Sequence, residues 1–263
     1  MQEETGIFSW YGYFNDYNKR IEMIKTAGFD GIMIWWEDED CQWPVTRGEM
    51  VERARDMELK VFNIHMSGNG DDNAIWSDDA ALREKHLEPI RRTIAEIAEY
   101  DLHNLVVHLC ERGDVPAPNK NLLKSVESLI PVAEEYNTVL SLENTWRGDY
   151  LEAVWQEFPV KELGFCFDTS HANLRDQFYL AEKYNHLLSA YHLSDNDGIE
   201  DRHWLPFDGE IDFSKVVPFI AGRGIPYTME VIANKELYQD EQEFLYEAKR
   251  RIERLISMGE ANC

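Results

Sequence analysis

Six apolar runs in this chain of 263 residues carry an acid or an imidazole at or near their C-terminal ends. They are KVFNIH with His65, NLVVHLC with His108, TVLSLE with Glu143, LGFCFD with Asp168, SAYHL with His192 and PYTMEV with Glu230. Side chains on a strand alternate with period two. By that parity Val61, Asn63 and His65 share a face, as do Val106 and His108, and Val139, Ser141 and Glu143. Gly164, Cys166 and Asp168 share another, as do Ala190 with His192 and Thr228 with Glu230. The opposite parity is bulky and apolar: Phe62 and Ile64, Leu140 and Leu142, Phe165 and Phe167, Tyr191 and Leu193, Met229 and Val231. One face of each run thus starts small and ends polar.

If those ends meet, Glu143, Asp168 and Glu230 point into one mouth. Two carboxylates about 4 Å apart repel by roughly 4 kcal/mol at an effective dielectric near 20. No lysine or arginine occupies the neighbouring inward positions, so three such acids need protons or a cation. A divalent ion with His192 as its nitrogen ligand is the economical solution. It can polarise a carbonyl and the adjacent hydroxyl toward an enediolate. Glu143 and Glu230, on nearly opposite strands, can then remove and return a proton at the carbon between them. A single histidine at a strand end is more often a satisfied core group, and a single glutamate a salt-bridge partner. The collection carries the chemistry, not any member of it.

Eight strand-then-helix units place these residues. The strands read as Gly6–Trp10, Phe29–Trp35, Lys60–His65, Asn104–Cys110, Thr138–Glu143, Gly164–Asp168, Ser189–Leu193 and Pro226–Val231. The helices read as Asn15–Ala27, Thr46–Leu59, Asp78–Tyr100, Asn119–Tyr136, Gly148–Phe158, Leu174–Tyr184, a helix from a cap at Asp212 to Ile220, and Lys235–Met258. Pro89 predicts a kink or a break near His86–Glu88 in the third, and Pro131 a disturbance of the fourth. No hairpin signal intervenes, so the strands are parallel with crossover helices. The length fits one α/β domain over residues 1–263, a (β/α)8 TIM barrel, whose active sites lie at the C-terminal face of the strands.

Composition limits the partners. Net charge is −24, from 50 acidic and 26 basic residues, which repels nucleic acid and acidic membranes at long range. The runs Arg91-Arg92 and Lys249–Arg251 read as solvated helix faces. No apolar run approaches the roughly 20 residues that span a bilayer, and the N-terminal residues lack the pattern of a signal peptide. Cys41, Cys110, Cys166 and Cys263 are scattered and read as reduced thiols of a cytoplasmic protein. Trp35 and Trp36 are either packing under a loop or a wall for a sugar ring. Asp195 and Asp197 read as a solvated loop, and Asn63 as inner barrel polarity.

The motifs VVHL at Val106–Leu109, LEN at Leu142–Asn144, GFCFDTSH at Gly164–His171, HLSDNDGIEDRHWLPFDGEIDF at His192–Phe213 and MEV at Met229–Val231 occur together. With them the whole chain resembles the xylose isomerase-like TIM-barrel superfamily, in particular its sugar phosphate isomerase/epimerase branch, which is grouped with type 2 apurinic endonucleases. The resemblance implies one divalent ion on Glu143, Asp168, His192 and Glu230, with Glu143 and Glu230 as the acid/base pair. His171 would contact a substrate hydroxyl or one of these glutamates. The endonuclease pattern implies more: His65 and His108 with Glu143 on one zinc, the quartet on a second, and His171, Asp201 and His203 on a third. No member of that set is missing. Three carboxylates and one histidine suit Mn²⁺, Mg²⁺ or Co²⁺, and a histidine-rich cluster suits Zn²⁺. The first expectation is therefore a metal-dependent isomerase or epimerase of a small sugar, polyol or keto acid. A zinc phosphodiesterase acting on abasic DNA comes second, disfavoured by the acidic loop WWEDED and the net charge. A sugar-binding module without catalysis comes third. Substrate and oligomeric state stay open.

Overall fold

The computed structural model describes residues 3–66, 74–111 and 113–261. Its strands are β1 (Thr5–Phe8), β2 (Gly31–Trp35), β3 (Lys60–His65), β4 (Asn104–Val107), β5 (Val139–Glu143), β6 (Leu163–Asp168), β7 (Leu188–His192) and β8 (Tyr227–Met229). All ladders are parallel, in the order β7-β6-β5-β4-β3-β2-β1-β8. The ends of that order meet, because Leu193 N–H donates to the Thr228 carbonyl at 2.9 Å and the Tyr191 and Tyr227 rings pack at 6.0 Å. The sheet is a nearly closed barrel. The helices around it are α1 (Tyr17–Thr26), α2 (Arg47–Asp56), α3 (Ala80–Glu99), α4 (Lys120–Glu135), α5 (Gly148–Glu157), α6 (Thr169–Arg175), α7 (Phe178–Lys183), α8 (Phe213–Ile220) and α9 (Glu241–Glu260).

Local sequence sets the helix starts. Asp16, Asp79, Asn119, Asp212 and Asp240 each accept backbone N–H bonds from the first turn of their helices. Thr46 and Glu49 form a reciprocal capping box on α2. Pro89 and Pro131 lie inside α3 and α4 without ending them, so of the kink or break expected at Pro89 the break does not occur. The helix expected over 174–184 is two: Asp176 takes a left-handed conformation, φ 53°, and closes α6 before α7 begins. The last helix starts at Glu241 rather than Lys235, and the fourth strand ends at Val107 rather than Cys110. The segment SGNGDD lies outside the described residues.

The barrel interior is layered as the parity requires. At the lower end Ser141 Oγ lies 2.8 Å from Asn104 Oδ1 and 2.7 Å from Ser189 Oγ. Gly164 must be glycine here, since a Cβ would sit 2.2 Å from Ser189 Oγ. Above lie Val106, Cys166 and Ala190, a small apolar layer of its own. Above that come His108, Glu143, Asp168 and His192. Two bulges reset the alternation. Between β2 and β3 the register skips Phe62, and between β6 and β7 it skips Ser189. The first overturns the expected facing of Phe62 and Val61. The Phe62 ring fills the space that Cβ atoms on Gly6 and Gly31 would need, 2.7 and 2.6 Å away, while Val61 packs against the outer core. Among the described residues no helix is long and apolar enough to cross a membrane, and Cys41, Cys110 and Cys166 are free thiols.

Candidate active site

All nine singled-out residues gather at the C-terminal face of the barrel. Glu143, at the tip of β5, is fully buried and central. Its Oε2 lies 3.3 Å from His65 Nε2, 3.1 Å from His108 Nε2 and 3.2 Å from His192 Nδ1, and its Oε1 lies 3.3 Å from His171 Nδ1. Glu230 reaches the same His192 nitrogen at 3.0 Å. Single ligand atoms of Glu143, Asp168, His192 and Glu230 all fall within 4.8 Å of one another. The same holds for His65, His108 and Glu143, and for His171, Asp201 and His203.

Neighbours aim these groups. His65 Nδ1 bonds the Met66 carbonyl at 2.8 Å, His203 Nδ1 the Glu230 carbonyl at 3.1 Å, and His108 Nδ1 the Glu111 carboxylate. In each case Nε2 is left facing a carboxylate, the arrangement that orients an imidazole ligand. Asn144 clamps Asp168 by its backbone: its amide donates to the Asp168 carbonyl at 2.9 Å and accepts the Asp168 N–H at 2.8 Å. Asp168 Oδ1 also accepts the His171 N–H at 2.7 Å and caps α6, so two site residues are fixed by one helix start. Ser170 Oγ donates to Asp201 Oδ1 at 2.7 Å.

The electrostatics are those of acids gathered beyond their own counter-charges. Burial works against ionisation of Glu230, yet the adjacent His192 draws its carboxyl down to about 2. Glu143 is likewise held well below the usual carboxylate range, against its burial, by His192 and His108. Asp168 goes the other way: burial, reinforced by Glu143, Asp201 and Glu230, lifts it to about 6 despite His171. His203 rises to about 9, burial being outweighed by Asp201 and Glu230. His171 and His192 are also raised. Even so, Glu143 Oε1, Asp168 Oδ2, His171 Nδ1 and both His192 ring nitrogens are buried without a hydrogen bond. Orphaned buried polar atoms are rare and costly. Here they converge, and a divalent cation fits their donor set.

Two joined chambers open above these residues. The smaller, about 280 Å³, contains His65, His108, Glu143, His171 and Asp201, with Trp146 and Arg175 on its wall. The Arg175 guanidinium stacks 3.6 Å over Trp146. The larger, about 480 Å³, is walled by Phe8, Trp10, Phe14, Trp35 and Ile232, with Glu37, Asp38 and Glu39 at its rim. Trp35, His203 and Glu230 line both. The paired tryptophans thus divide the two readings. Trp35 is a wall, stacked on His65 at 4.9 Å, whereas Trp36 is buried packing with its Nε1 bonded to Glu96. Asp195 corrects the expected solvated loop. It is fully buried and accepts the N–H groups of Phe207, Gly209 and Ile211, folding the segment that presents Asp201 and His203. Asp197 does organise its loop, through Arg202 and two backbone N–H groups. Asn63 is buried, and its Oδ1 has no hydrogen bond.

Sequence reasoning missed Asn144, Arg175, Trp146, the Phe8–Trp10–Phe14 wall and Arg20. Arg20 is fully buried behind that wall, 2.5 Å from both Glu39 oxygens and 5.0 Å over the Trp10 ring. A signal for it exists: Arg20 falls on the helical stripe of Tyr17, Ile21 and Ile24, where a charge needs a buried partner.

Comparison with known proteins agrees with this architecture. Residues 21–248 match the family model described as xylose isomerase-like TIM barrel. Among curated proteins, the uncharacterized protein y4fM of Sinorhizobium fredii is 27% identical over 154 residues, 53% of this chain and 50% of that protein. The uncharacterized protein MJ1311 of Methanocaldococcus jannaschii is 27% identical over 156 residues, 52% of each. The matches thus span about half the length of these relatives. Among solved structures, a D-tagatose 3-epimerase-like protein superposes with a TM-score of 0.78 at 20% identity, covering 98% of this chain and 99% of that one. An L-ribulose 3-epimerase gives 0.80 at 17%, covering 99% and 97%. A 3-keto-D-glucoside 4-epimerase from E. coli gives 0.72 at 16%, covering 97% and 100%. At these identities the structural likeness speaks to the fold, and the family follows from the sequence match: the chain belongs to the xylose isomerase-like TIM-barrel family.

Proposed function

We propose that the protein is a divalent-metal-dependent epimerase or isomerase of a small carbohydrate, moving a proton at the carbon beside a carbonyl. The observation that carries the reading is the approach of Glu143 and Glu230 to one nitrogen of His192, at 3.2 and 3.0 Å, on the floor of a cavity. Glu143, Asp168, His192 and Glu230 would hold the ion, and it would supply Lewis-acid polarisation of a carbonyl and its neighbouring hydroxyl. Glu143 and Glu230 are held ionised by the neighbouring histidines, so one accepts the proton from the carbon between them, and the other, once it has taken up a proton from a substrate hydroxyl or solvent, returns one to that carbon. His171, fixed between Asp201 and Glu143, holds a substrate hydroxyl. Arg175, stacked on Trp146, presents a cation at the wall of the small chamber. The names of the structural neighbours, D-tagatose 3-epimerase-like and L-ribulose 3-epimerase, support this substrate class.

The test is exchange of a substrate C–H for deuterium in D₂O, read by NMR with the metal-loaded protein and a panel of ketoses. Glu143→Gln and Glu230→Gln should each lower exchange by about 10²–10⁴-fold with the fold retained. Undiminished exchange in both variants removes the acid/base assignment.

A second reading, zinc-dependent cleavage of abasic DNA, has a specific observation in its favour. The clusters His65–His108–Glu143 and His171–Asp201–His203 are complete beside the quartet. Against it stand the carboxylates Glu37, Asp38 and Glu39 at the rim and the net charge of −24, both of which repel a polyanion. Elemental analysis with an abasic-duplex cleavage assay at low salt separates the two readings.

A further inference from the structure

We propose that the substrate carries a second, neutral sugar ring, held in the larger chamber, so that the preferred substrate is an unphosphorylated keto-disaccharide, a ketose with a free carbonyl that bears a glycosyl group on one hydroxyl, rather than a free monosaccharide or a sugar phosphate. This rests on the epimerase reading for its reacting ring and goes beyond it in substrate class. The small chamber is about 280 Å³ and is lined by both members of the acid/base pair, Glu143 and Glu230, with His171. Ligand pockets run from about 300 to 1,000 Å³, so that volume suits one ring. The adjoining 480 Å³ is the larger part of the cavity and has none of the proposed proton-transfer machinery except Glu230, which it shares.

The walls of the large chamber specify its occupant. Trp10 and Phe14 meet edge to face at 5.5 Å, and Phe8 and Trp35 lie 6.3 Å apart, giving aromatic faces around the space. Phe14 is 73% exposed, which leaves its face free to stack. Aromatic faces pack against the C–H faces of a sugar ring. Among the described lining residues there is no lysine or arginine, the His203 imidazole is paired with Asp201 at 3.1 Å, and Glu39 is already neutralised by Arg20. Glu37 and Asp38 therefore leave uncompensated negative charge at the rim. They accept hydrogen bonds from hydroxyls and repel a phosphate or a carboxylate. An apolar aglycone would use the aromatic faces and waste the acids. A polyhydroxylated ring uses both.

The wall is also pre-set. Arg20 binds Glu39 and stands over the rings of Trp10 and Tyr17 at 5.0 and 5.3 Å, so the acidic β2–α2 loop and the aromatic β1–α1 loop are tied by one buried cation. Trp35, stacked on His65, joins the two chambers at the point where a glycosidic bond would pass Glu230.

The experiment is calorimetric binding to the Mn²⁺-loaded protein of D-fructose, D-fructose 6-phosphate, the keto-disaccharides maltulose and lactulose, and phenyl β-D-glucoside. One keto-disaccharide is expected to bind at least about tenfold tighter than D-fructose, the gain of one well-made aromatic stack. D-Fructose 6-phosphate should bind more weakly than D-fructose. Phe14→Ala, a change at an exposed site that leaves the core intact, should bring the ratio of disaccharide to monosaccharide affinity toward one. Equal affinity for one and two rings, tighter binding of the phosphate or of the phenyl glucoside, no binding of any probe, or a ratio unmoved by Phe14→Ala each overturns the proposal. Deuterium exchange on the same sugars separates it from the reading beneath. A two-ring preference without exchange sinks the epimerase assignment alone, and exchange on D-fructose with a ratio of one sinks the second ring alone.

Discussion

Binding of a divalent ion at this site should release protons and tighten with pH, by an amount the site itself sets. In the metal-free protein His192 is raised well above its ordinary value. Burial pulls it down, but Cys166, Glu230 and Glu143 outweigh burial and favour the protonated ring. An ion taking that nitrogen must displace the proton. Each displaced proton makes binding stronger by about 1.4 kcal/mol, or tenfold, per unit rise in pH, until the pH passes the value of the group. If the quartet alone fills, the logarithm of the affinity should rise by about one per pH unit for as long as the His192 ring is protonated. Below about 6 the slope should steepen, because Asp168, lifted to about 6 chiefly by burial, then carries a proton as well. If the His171–Asp201–His203 cluster fills too, two further imidazoles must be stripped. His203, at about 9, then costs roughly 2.7 kcal/mol at pH 7, two units of pKa. The assay is calorimetry with Mn²⁺ and Zn²⁺ in buffers of different ionisation enthalpy, which counts protons per ion, beside elemental analysis, which counts ions per chain. About one proton and one ion means the quartet; about three protons in total means a multinuclear centre. Binding that is independent of pH and releases no protons, or that survives His192→Ala undiminished, refutes the reasoning.

Other perturbations probe the same frame. Without metal, His203 contributes stability that is complete below its unfolded value near 6.5 and lost as pH rises through about 9, so chelated protein should lose about 3 kcal/mol over that window. Metal-loaded protein should not, and thermal melts from pH 6 to 9 should diverge; parallel melts would exclude it. Arg20→Ala removes a fully buried cation that ties the β2–α2 loop and should cost about 3 kcal/mol in urea titration, and Glu39→Gln, which leaves that buried guanidinium without its counter-charge, should cost at least as much. Gly164→Ala drives a methyl group to 2.2 Å from Ser189 Oγ and 2.8 Å from Val139 Cγ1 and should cost about 1–3 kcal/mol by overpacking, with Ser189→Gly in the same chain restoring part of it.

How much of this was legible in the sequence follows from where period-two alternation holds. On β5 and β6 the strand is regular from Ser141 to Glu143 and from Gly164 to Asp168, and the inward residues fall in successive layers of the barrel. There the reading of small residues below and acids above needs nothing but parity. It fails at β3, where the skipped Phe62 turns inward against Gly6 and Gly31. A bulge has no signature in one sequence, since it arises from the twist a closing sheet needs and not from the residue it displaces. The two glycines were the clue: a large ring inside the barrel requires facing positions without a Cβ. The prolines of α3 and α4 do not end their helices, for a related reason. A proline forfeits one hydrogen bond and crowds one carbonyl. The apolar stripes of these helices, Leu87, Ile90, Ile94 and Ile97 in one and Leu122, Val126 and Leu129 in the other, pack against the barrel and outweigh that loss.

The residues that aim the site were harder to read than the residues that form it, and the difference is physical. Acids and imidazoles recurring at the inward ends of six strands stand out together by residue type, although no one of them does alone. Asn144 is an ordinary polar residue that becomes important only because its amide has the length to span from β5 to the backbone of Asp168. Asp195 has the look of loop solvation, yet it holds three N–H groups of a turn in which Gly209 approaches the Asn196 carbonyl so closely that a Cβ would lie 2.2 Å from it. These side chains answer to backbone groups, and backbone groups have no letter in the sequence. Their consequence is testable at one atom. Asn144→Ala leaves every proposed ligand in place but frees the Asp168 N–H and carbonyl in a buried site, so Mn²⁺ affinity should fall by about 10–100-fold, the usual effect of losing a group that orients a ligand. Asn144→Asp keeps an acceptor for the N–H but loses the donor, and should fall between the two. Equal affinity in all three proteins would mean that Asp168 is held by its place on the strand and the start of α6 alone.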